Sequence, residues 1–315
     1  MDPLVVVFGL GVGVLVGLTG IGGGSLMTPL LILVVGTQPV VAIGTDLAYG
    51  AITKTVGGWR HYRQGTVDMR LSTWLALGSV PGSLIGVLLV ERLHRAYGNE
   101  FDGVLLVCIA GALLVVAVAI LARALFMPRS IAREVHTADL TRRRRIAAVV
   151  IGAVLGLVLG FTSLGSGALV GLVLILFFRL TPHRVVGTDV FHAAILLWAA
   201  AAAHLVAGNV DFALAGNILV GSVPAVWLGS HLSVRVPTAT LRTILAIVLL
   251  GSGLGLLAKA GVGVPGAVLG AFPVVVAVLV GVMTLRDRRR AAERAAEAPE
   301  RRSATADEPA PVTAH

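Results

Sequence analysis

The chain has 315 residues, of which 57% are hydrophobic and 13% charged. A soluble globular protein carries about 25% charged residues, so this composition excludes an ordinary soluble domain. The formal charge of +9 does not point to nucleic acid, because the basic residues gather in a few loops and the tail with no interleaved aromatics to stack on bases.

The apolar residues come in runs of membrane-spanning length. Residues 104–122 contain no charge, and about 20 apolar residues at 1.5 Å rise cross the hydrocarbon core. Helices are expected throughout, because backbone polar groups must be paired inside lipid. In chain order the first five segments fall at residues 4–19, 25–36, 39–60, 71–91 and 101–126. The next five fall at 146–162, 168–179, 183–206, 213–233 and 240–258, and an eleventh at 266–285. No basic n-region precedes the stretch 4–18, which reads as part of the mature fold and not as a signal peptide. Cys108, the single cysteine, lies in an apolar run and reads as a packing residue.

The segments repeat. Gly9, Gly13 and Gly17 recur as Gly152, Gly156 and Gly160, an offset of 143 residues. At the same offset Gly44-Thr45-Asp46 recurs as Gly187-Thr188-Asp189, and Gly78-Ser79-Val80-Pro81 as Gly221-Ser222-Val223-Pro224. His61 matches His204, and Val67-Asp68 matches Val210-Asp211. Apolar composition alone does not align such motifs in one register. The expected domains are a first membrane repeat (1–126), a basic cytoplasmic connector (127–145) and a second repeat (146–258). An extra transmembrane helix (259–285) and a largely disordered cytoplasmic tail (286–315) follow.

The arginines predict orientation, since short cytoplasmic loops are enriched in them. Arg60, Arg63 and Arg70 flank the loop between segments three and four; Arg129, Arg133, Arg142, Arg143, Arg144 and Arg145 mark the connector. In the second copy the charge moves to Arg179 and Arg184 and to Arg235 and Arg242, one loop to either side. This pattern places the N-terminus outside, the C-terminus in the cytoplasm of a bacterial inner (plasma) membrane, and the copies in opposite senses. Arg92 and Arg95 are the exception, offset by Glu91 and Glu100. Inverted repeats are a transporter signature, with the substrate site at their interface.

Segments one and two, and six and seven, are short, and glycine-rich breaks join them. Short, glycine-interrupted segments in matching positions of two halves point to a binding site, so these pairs are predicted to be re-entrant hairpins meeting near the midplane. Free N–H groups at the start of a helix favour an anion. The candidate substrate residues are Gly22, Gly23, Gly24, Ser25 and Thr45 in the first copy, and Ser163, Gly165, Ser166, Gly167 and Thr188 in the second. Gly9, Gly13 and Gly17 read instead as a helix-packing face.

Asp46 and Asp189 are ionisable residues within spans, which marks a functional site by default. They read as a proton-coupling pair, with His192 as a relay, or as caps restarting a broken helix. Lys54 is expected to partner Asp46 or to snorkel to the cytoplasmic interface, the latter being favoured. His192 is alternatively a satisfied core histidine, while His61 and His204 are placed at the interface. Pro81 and Pro224 are expected to kink segments four and nine.

One stretch of the first copy runs Gly17-Leu18-Thr19-Gly20-Ile21-Gly22-Gly23-Gly24-Ser25-Leu26-Met27-Thr28-Pro29. Gly44-Thr45, His61-Tyr62-Arg63-Gln64-Gly65-Thr66-Val67-Asp68 and Gly78-Ser79-Val80-Pro81-Gly82 follow, with a weaker echo in the second copy. Over residues 5–258 this set resembles the sulfite exporter TauE/SafE family of membrane transporters. The resemblance implies export or uptake of small sulfur-containing or organic anions such as sulfite or sulfoacetate. Family members usually carry serine after Gly-Thr, where this chain has Asp46 and Asp189. A carboxylate near an anion repels it unless protonated, which puts sulfite in question and favours proton coupling or another substrate.

The reading is an all-α polytopic membrane protein acting as a secondary transporter that exports a small anion by alternating access. The membrane potential drives a monovalent anion outward by about 2.3 kcal/mol per 100 mV, and proton antiport would add to it. One alternative is a cation or divalent-metal transporter using the Asp pair and His192 as ligands. Another is a non-transporting membrane enzyme or assembly factor, ranked last because no nucleophile stands with a base and no metal motif appears. No metal, cofactor or enzymatic activity is expected. The expected partners are the small anion and the lipid bilayer, not nucleic acid, with a homodimer left open.

Overall fold

The computed structural model describes residues 3–19, 24–126, 140–164, 167–233, 238–266 and 271. Among them are helices α1 (Pro3–Thr19), α2 (Gly24–Leu30), α3 (Pro39–Arg63), α4 (Met69–Tyr97) and α5 (Asn99–Phe126). There follow α6 (Arg142–Thr162), α7 (Ala168–Leu176), α8 (Pro182–Val206), α9 (Phe212–Ser233) and α10 (Thr238–Lys259). A π-helical turn, Leu31–Val35, extends α2, so the second segment spans its expected length. Lys259 Nζ donates to Ile32 O of that turn at 2.6 Å, reaching across from α10.

Local chemistry sets the helix ends in matching ways. Pro39 and Pro182 open α3 and α8 at a first-turn position where the missing N–H costs nothing. Gly65 and Gly208, equivalent in the two copies, take φ values of +67° and +80° and turn the chain from α3 to α4 and from α8 to α9. Asp68 Oδ1 then accepts from Leu71 N at 3.1 Å, and Asp211 Oδ1 from Leu214 N at 2.9 Å. Each bond satisfies an orphan donor at a helix start.

The packing repeats as well. α4 lies against α6 and α1 against α9, while α3 pairs with α8 and α5 with α10. A Cβ on Gly78 would collide with Val149 O, and one on the equivalent Gly221 with Val6 O. Likewise a Cβ on Gly156 would collide with Ser79 O, and one on Gly13 would stand 2.6 Å from Ser222 O. These small residues let backbones touch, as helix packing in lipid requires. The packing role expected of Gly9, Gly13 and Gly17 therefore holds for Gly9 and Gly13, whose Cβ atoms would meet the α9 backbone.

Contact register gives helix sense. Going up α3, Gly44, Gly50 and Gly57 meet His204, Leu197 and Val190 in descending order along α8, so these two helices run antiparallel. Gly78, Gly82 and Gly86 meet Val149, Ala153 and Leu157 in ascending order, so α4 and α6 run parallel.

Among the described residues five helical stretches are long and apolar enough to cross a membrane: Met69–Tyr97, Asn99–Leu121, Arg142–Thr162, His183–Val206 and Phe212–Gly229. Their outer faces expose Leu77, Leu88, Val104, Val115, Val154 and Trp227, an apolar surface suited to lipid. Cys108 is exposed on such a face of α5, not packed inside.

Several boundaries differ from the sequence reading. α4 continues to Tyr97, so Glu91, Arg92 and Arg95 lie on a helix and not in a loop, where Glu91 and Arg95 pair four residues apart. Arg142, Arg143, Arg144 and Arg145 form the first turn of α6 and not the end of a connector. Pro81 and Pro224 sit inside α4 and α9, which continue through them. The segment expected at 266–285 falls almost wholly outside the described residues, as do the tail and most of the connector.

Candidate substrate and coupling site

Gly44-Thr45-Asp46 and Gly187-Thr188-Asp189 lie within continuous helices α3 and α8, so neither aspartate restarts a broken helix. The capping alternative is therefore set aside; Asp68 and Asp211 do that work. Asp46 and Asp189 are both buried, at 1% and 5% exposure. A carboxyl at such depth must find donors within the protein or hold a proton.

Asp46 finds its donors on α2 and at the end of α6. Thr28 Oγ1 on α2 donates to Asp46 Oδ2 at 2.6 Å. Ser163 Oγ, at the end of α6, donates to the same oxygen at 2.7 Å. Asp46 Oδ1 is buried and takes no donor among the described residues. Ser163 itself has φ +62°, an uncommon conformation for a residue with a side chain. Its N–H closes α6 by donating to Leu159 O at 2.7 Å, which leaves the hydroxyl directed to Asp46. Thus α3 of the first copy joins α2 of its own copy to the break of the other.

Asp189 is held differently. Gly167, at φ +97° just before α7, donates its N–H to Asp189 Oδ1 at 3.2 Å. Lys54 is 7% exposed, so it does not snorkel outward, and among the described residues it makes no ion pair with Asp46.

Other candidates serve contacts between the copies. Thr45 Oγ1 accepts from Asp211 N at 3.0 Å, and Thr188 Oγ1 accepts from Asp68 N at 2.9 Å. Both threonine hydroxyls are thus engaged with the starts of α9 and α4. His192 Nε2 lies 2.9 Å from Ser79 Oγ on α4, and its Nδ1 is buried without a partner among the described residues. His192 therefore pairs with Ser79 and not with Asp189. His204, in the last turn of α8, is fully buried with Nε2 3.5 Å from Gly160 O. His61 is half-buried, with Nδ1 3.0 Å from Thr66 Oγ1.

Ser25 is buried on α2, and Gly24 is its first residue. Gly22, Gly23, Gly165 and Ser166 lie outside the described residues. Among the described residues no three His, Cys, Asp or Glu side chains come together, so Asp46, Asp189 and His192 do not form a common ligand set. Sequence reasoning missed Thr28 and Ser79. Thr28 follows Ser25 by three residues, a helical spacing that shared a face with it, and Ser79 sat in a repeated motif that received no role.

Residues 5–256 match the protein family described as Sulfite exporter TauE/SafE. A Bacillus subtilis (strain 168) protein described as probable membrane transporter protein YjnA is 39% identical over 257 residues, covering 82% of this chain and all of that relative. A second from that strain, probable membrane transporter protein YdhB, is 26% identical over 231 residues, covering 73% of this chain and 90% of the relative. A Xylella fastidiosa (strain Temecula1 / ATCC 700964) probable membrane transporter protein is 29% identical over 239 residues, covering 75% and 87%. No solved structure matches.

Proposed function

The chain belongs to the sulfite exporter TauE/SafE family, and from that premise we propose that this membrane transporter exports a small sulfur-containing or organic anion, of sulfite or sulfoacetate type, by alternating access coupled to protons. The observation that carries the reading is Asp46, whose one oxygen takes donors from both Thr28 and Ser163 while its other oxygen takes none among the described residues. We assign Oδ1 as the atom that gains and loses a proton.

Proton and anion are linked there by electrostatics. A charged Asp46 repels an anion held at the neighbouring breaks, whereas a neutral one does not. The proton also changes what Thr28 and Ser163 hold, so its arrival and departure bias the seating of α2 against the end of α6. Two copies in opposite senses across the bilayer supply the two conformations, one facing each side. The antiparallel register of α3 and α8, which are equivalent helices, supports that arrangement.

The test is flux of sulfite and sulfoacetate from proteoliposomes under pH gradients of both signs. Efflux of at least one anion, altered by the gradient in the wild type and indifferent to it in Asp46→Asn, is expected. No anion flux by protein shown to be folded would overturn the proposal.

A further inference from the structure

We propose that the groove between α4 and α6, lined by Trp74, Arg142, Arg145, Ile146, Val149 and Val150, binds one anionic phospholipid. The phosphate would lie on the two arginines and an acyl chain along Ile146, Val149 and Val150. The groove holds about 400 Å³ and opens to the outside of the helix bundle. That volume accepts a headgroup and the first part of a chain, not a whole lipid.

Its chemistry is divided as a phospholipid is divided. The Arg145 guanidinium stands 5.6 Å from the centre of the Trp74 ring, and its Nε donates to Leu140 O at 2.9 Å. These two contacts fix the guanidinium and leave its terminal nitrogens as donors, and guanidinium suits phosphate by its planar fork. Ile146 and Val150 are exposed at 56% each, just below the arginines on the same helix. Tryptophan is enriched at the level of lipid headgroups, and basic pockets between transmembrane helices bind anionic headgroups.

Helix electrostatics favour the same occupant. Four arginines occupy the first turn of α6, and the cap residue Thr141 makes no side-chain bond to that turn. The start of a helix carries partial positive charge, so four cations there oppose the dipole. A phosphate relieves both the crowded charge and the open N–H groups.

The counterpart in the other copy lacks this chemistry. Val6 and Val7 stand where Val149 and Val150 do, so the apolar wall is kept, yet Asn217 replaces Trp74 and Asp2 replaces Arg145. A rule that only orients helices asks for arginines at one membrane face. It does not ask for a ring beneath one guanidinium or an open apolar wall below it. The asymmetry therefore belongs to one leaflet and one ligand, whatever anion the transporter carries.

Native mass spectrometry of the full chain tests this, after exchange from mixed phosphatidylglycerol and phosphatidylcholine micelles. One phosphatidylglycerol should stay bound to the wild type in preference to phosphatidylcholine. Arg142→Gln with Arg145→Gln should reduce its retention about tenfold, the order expected for losing charge-assisted hydrogen bonds. Val150→Trp, which fills the apolar wall and keeps every charge, should reduce it similarly. Helix content by circular dichroism identifies any variant that has failed to fold. Equal retention of both lipids, or unchanged retention in the folded arginine variant, would overturn the proposal. So would stabilisation by inorganic phosphate equal to that by phosphatidylglycerol, since a free ion would then suffice.

Discussion

Trp198 Nε1 donates to Thr55 Oγ1 at 2.8 Å, and the bond spans 143 residues, the offset of the internal repeat. The two residues thus occupy one position in two copies and touch each other. With the antiparallel register of α3 and α8, this bond makes them a directly packed pair of matching helices. If transport moves one copy against the other, this pair is where the motion can be stopped. A Cβ on Gly57 would stand 3.0 Å from Val190 Cγ1 on the facing helix, within the range a disulfide can join. Gly57→Cys with Val190→Cys, in a Cys108→Ser background, should crosslink under oxidant. Anion flux should fall about tenfold, as expected when one of two required states becomes inaccessible, and return on reduction. Crosslinking without loss of flux would show that α3 and α8 move as one body.

The glycines between α4 and α6 yield a second prediction. A methyl group on Gly156 would strike the backbone of Ser79, which has no freedom to step aside. Gly156→Ala should lower stability by about 1–3 kcal/mol, the usual cost of overpacking. Gly11 has nothing within 4 Å of its Cβ position and is exposed on α1. Gly11→Ala should raise stability by about 0.5–1 kcal/mol through helix propensity alone. Thermal unfolding in one detergent, both variants side by side, separates the packing effect from the propensity effect.

Much of this was legible in the sequence because it depends on local pattern. Apolar runs marked the helices, and the recurrence of Gly-Ser-Val-Pro marked the sequence repeat. What was not legible depends on register between helices distant in sequence. Lys54 and Asp46 share a helix and are spaced to suggest a pair, but Asp46 takes its donors from Thr28 and Ser163 on other helices. Thr45 and Thr188 looked like site residues because they adjoin the aspartates, yet a helix start from the opposite copy takes each hydroxyl. The i,i+4 pairing of Arg95 with Glu91 on the longer α4 was likewise not legible from the segment boundary.

Asp46 separates coupling from folding. Thr28→Val and Ser163→Ala each remove one donor from Asp46 Oδ2. Each should cost about 1–3 kcal/mol if the carboxyl then lacks a partner. Asp46→Asn keeps an oxygen for both donors and so should stay folded, while it can no longer take up a proton. In proteoliposomes its anion flux should be insensitive to an imposed pH gradient. A gradient response equal to that of the wild type would move the coupling site away from Asp46.

The last prediction concerns Lys54 and Asp189, two buried residues of opposite charge on the facing helices α3 and α8. Where two buried charges compensate each other, removing one typically costs about 3–5 kcal/mol, whereas removing both is often nearly neutral. Lys54→Met and Asp189→Asn should therefore each lower stability and yield of folded protein. The double variant should recover most of what either lost. Recovery of fold is separable from recovery of flux. If the pair is only structural, the double variant regains both; if Asp189 takes part in proton transfer, it regains fold but not the response to pH. Equal damage in single and double variants would show that Lys54 and Asp189 act independently, because a true pair gives a non-additive cycle.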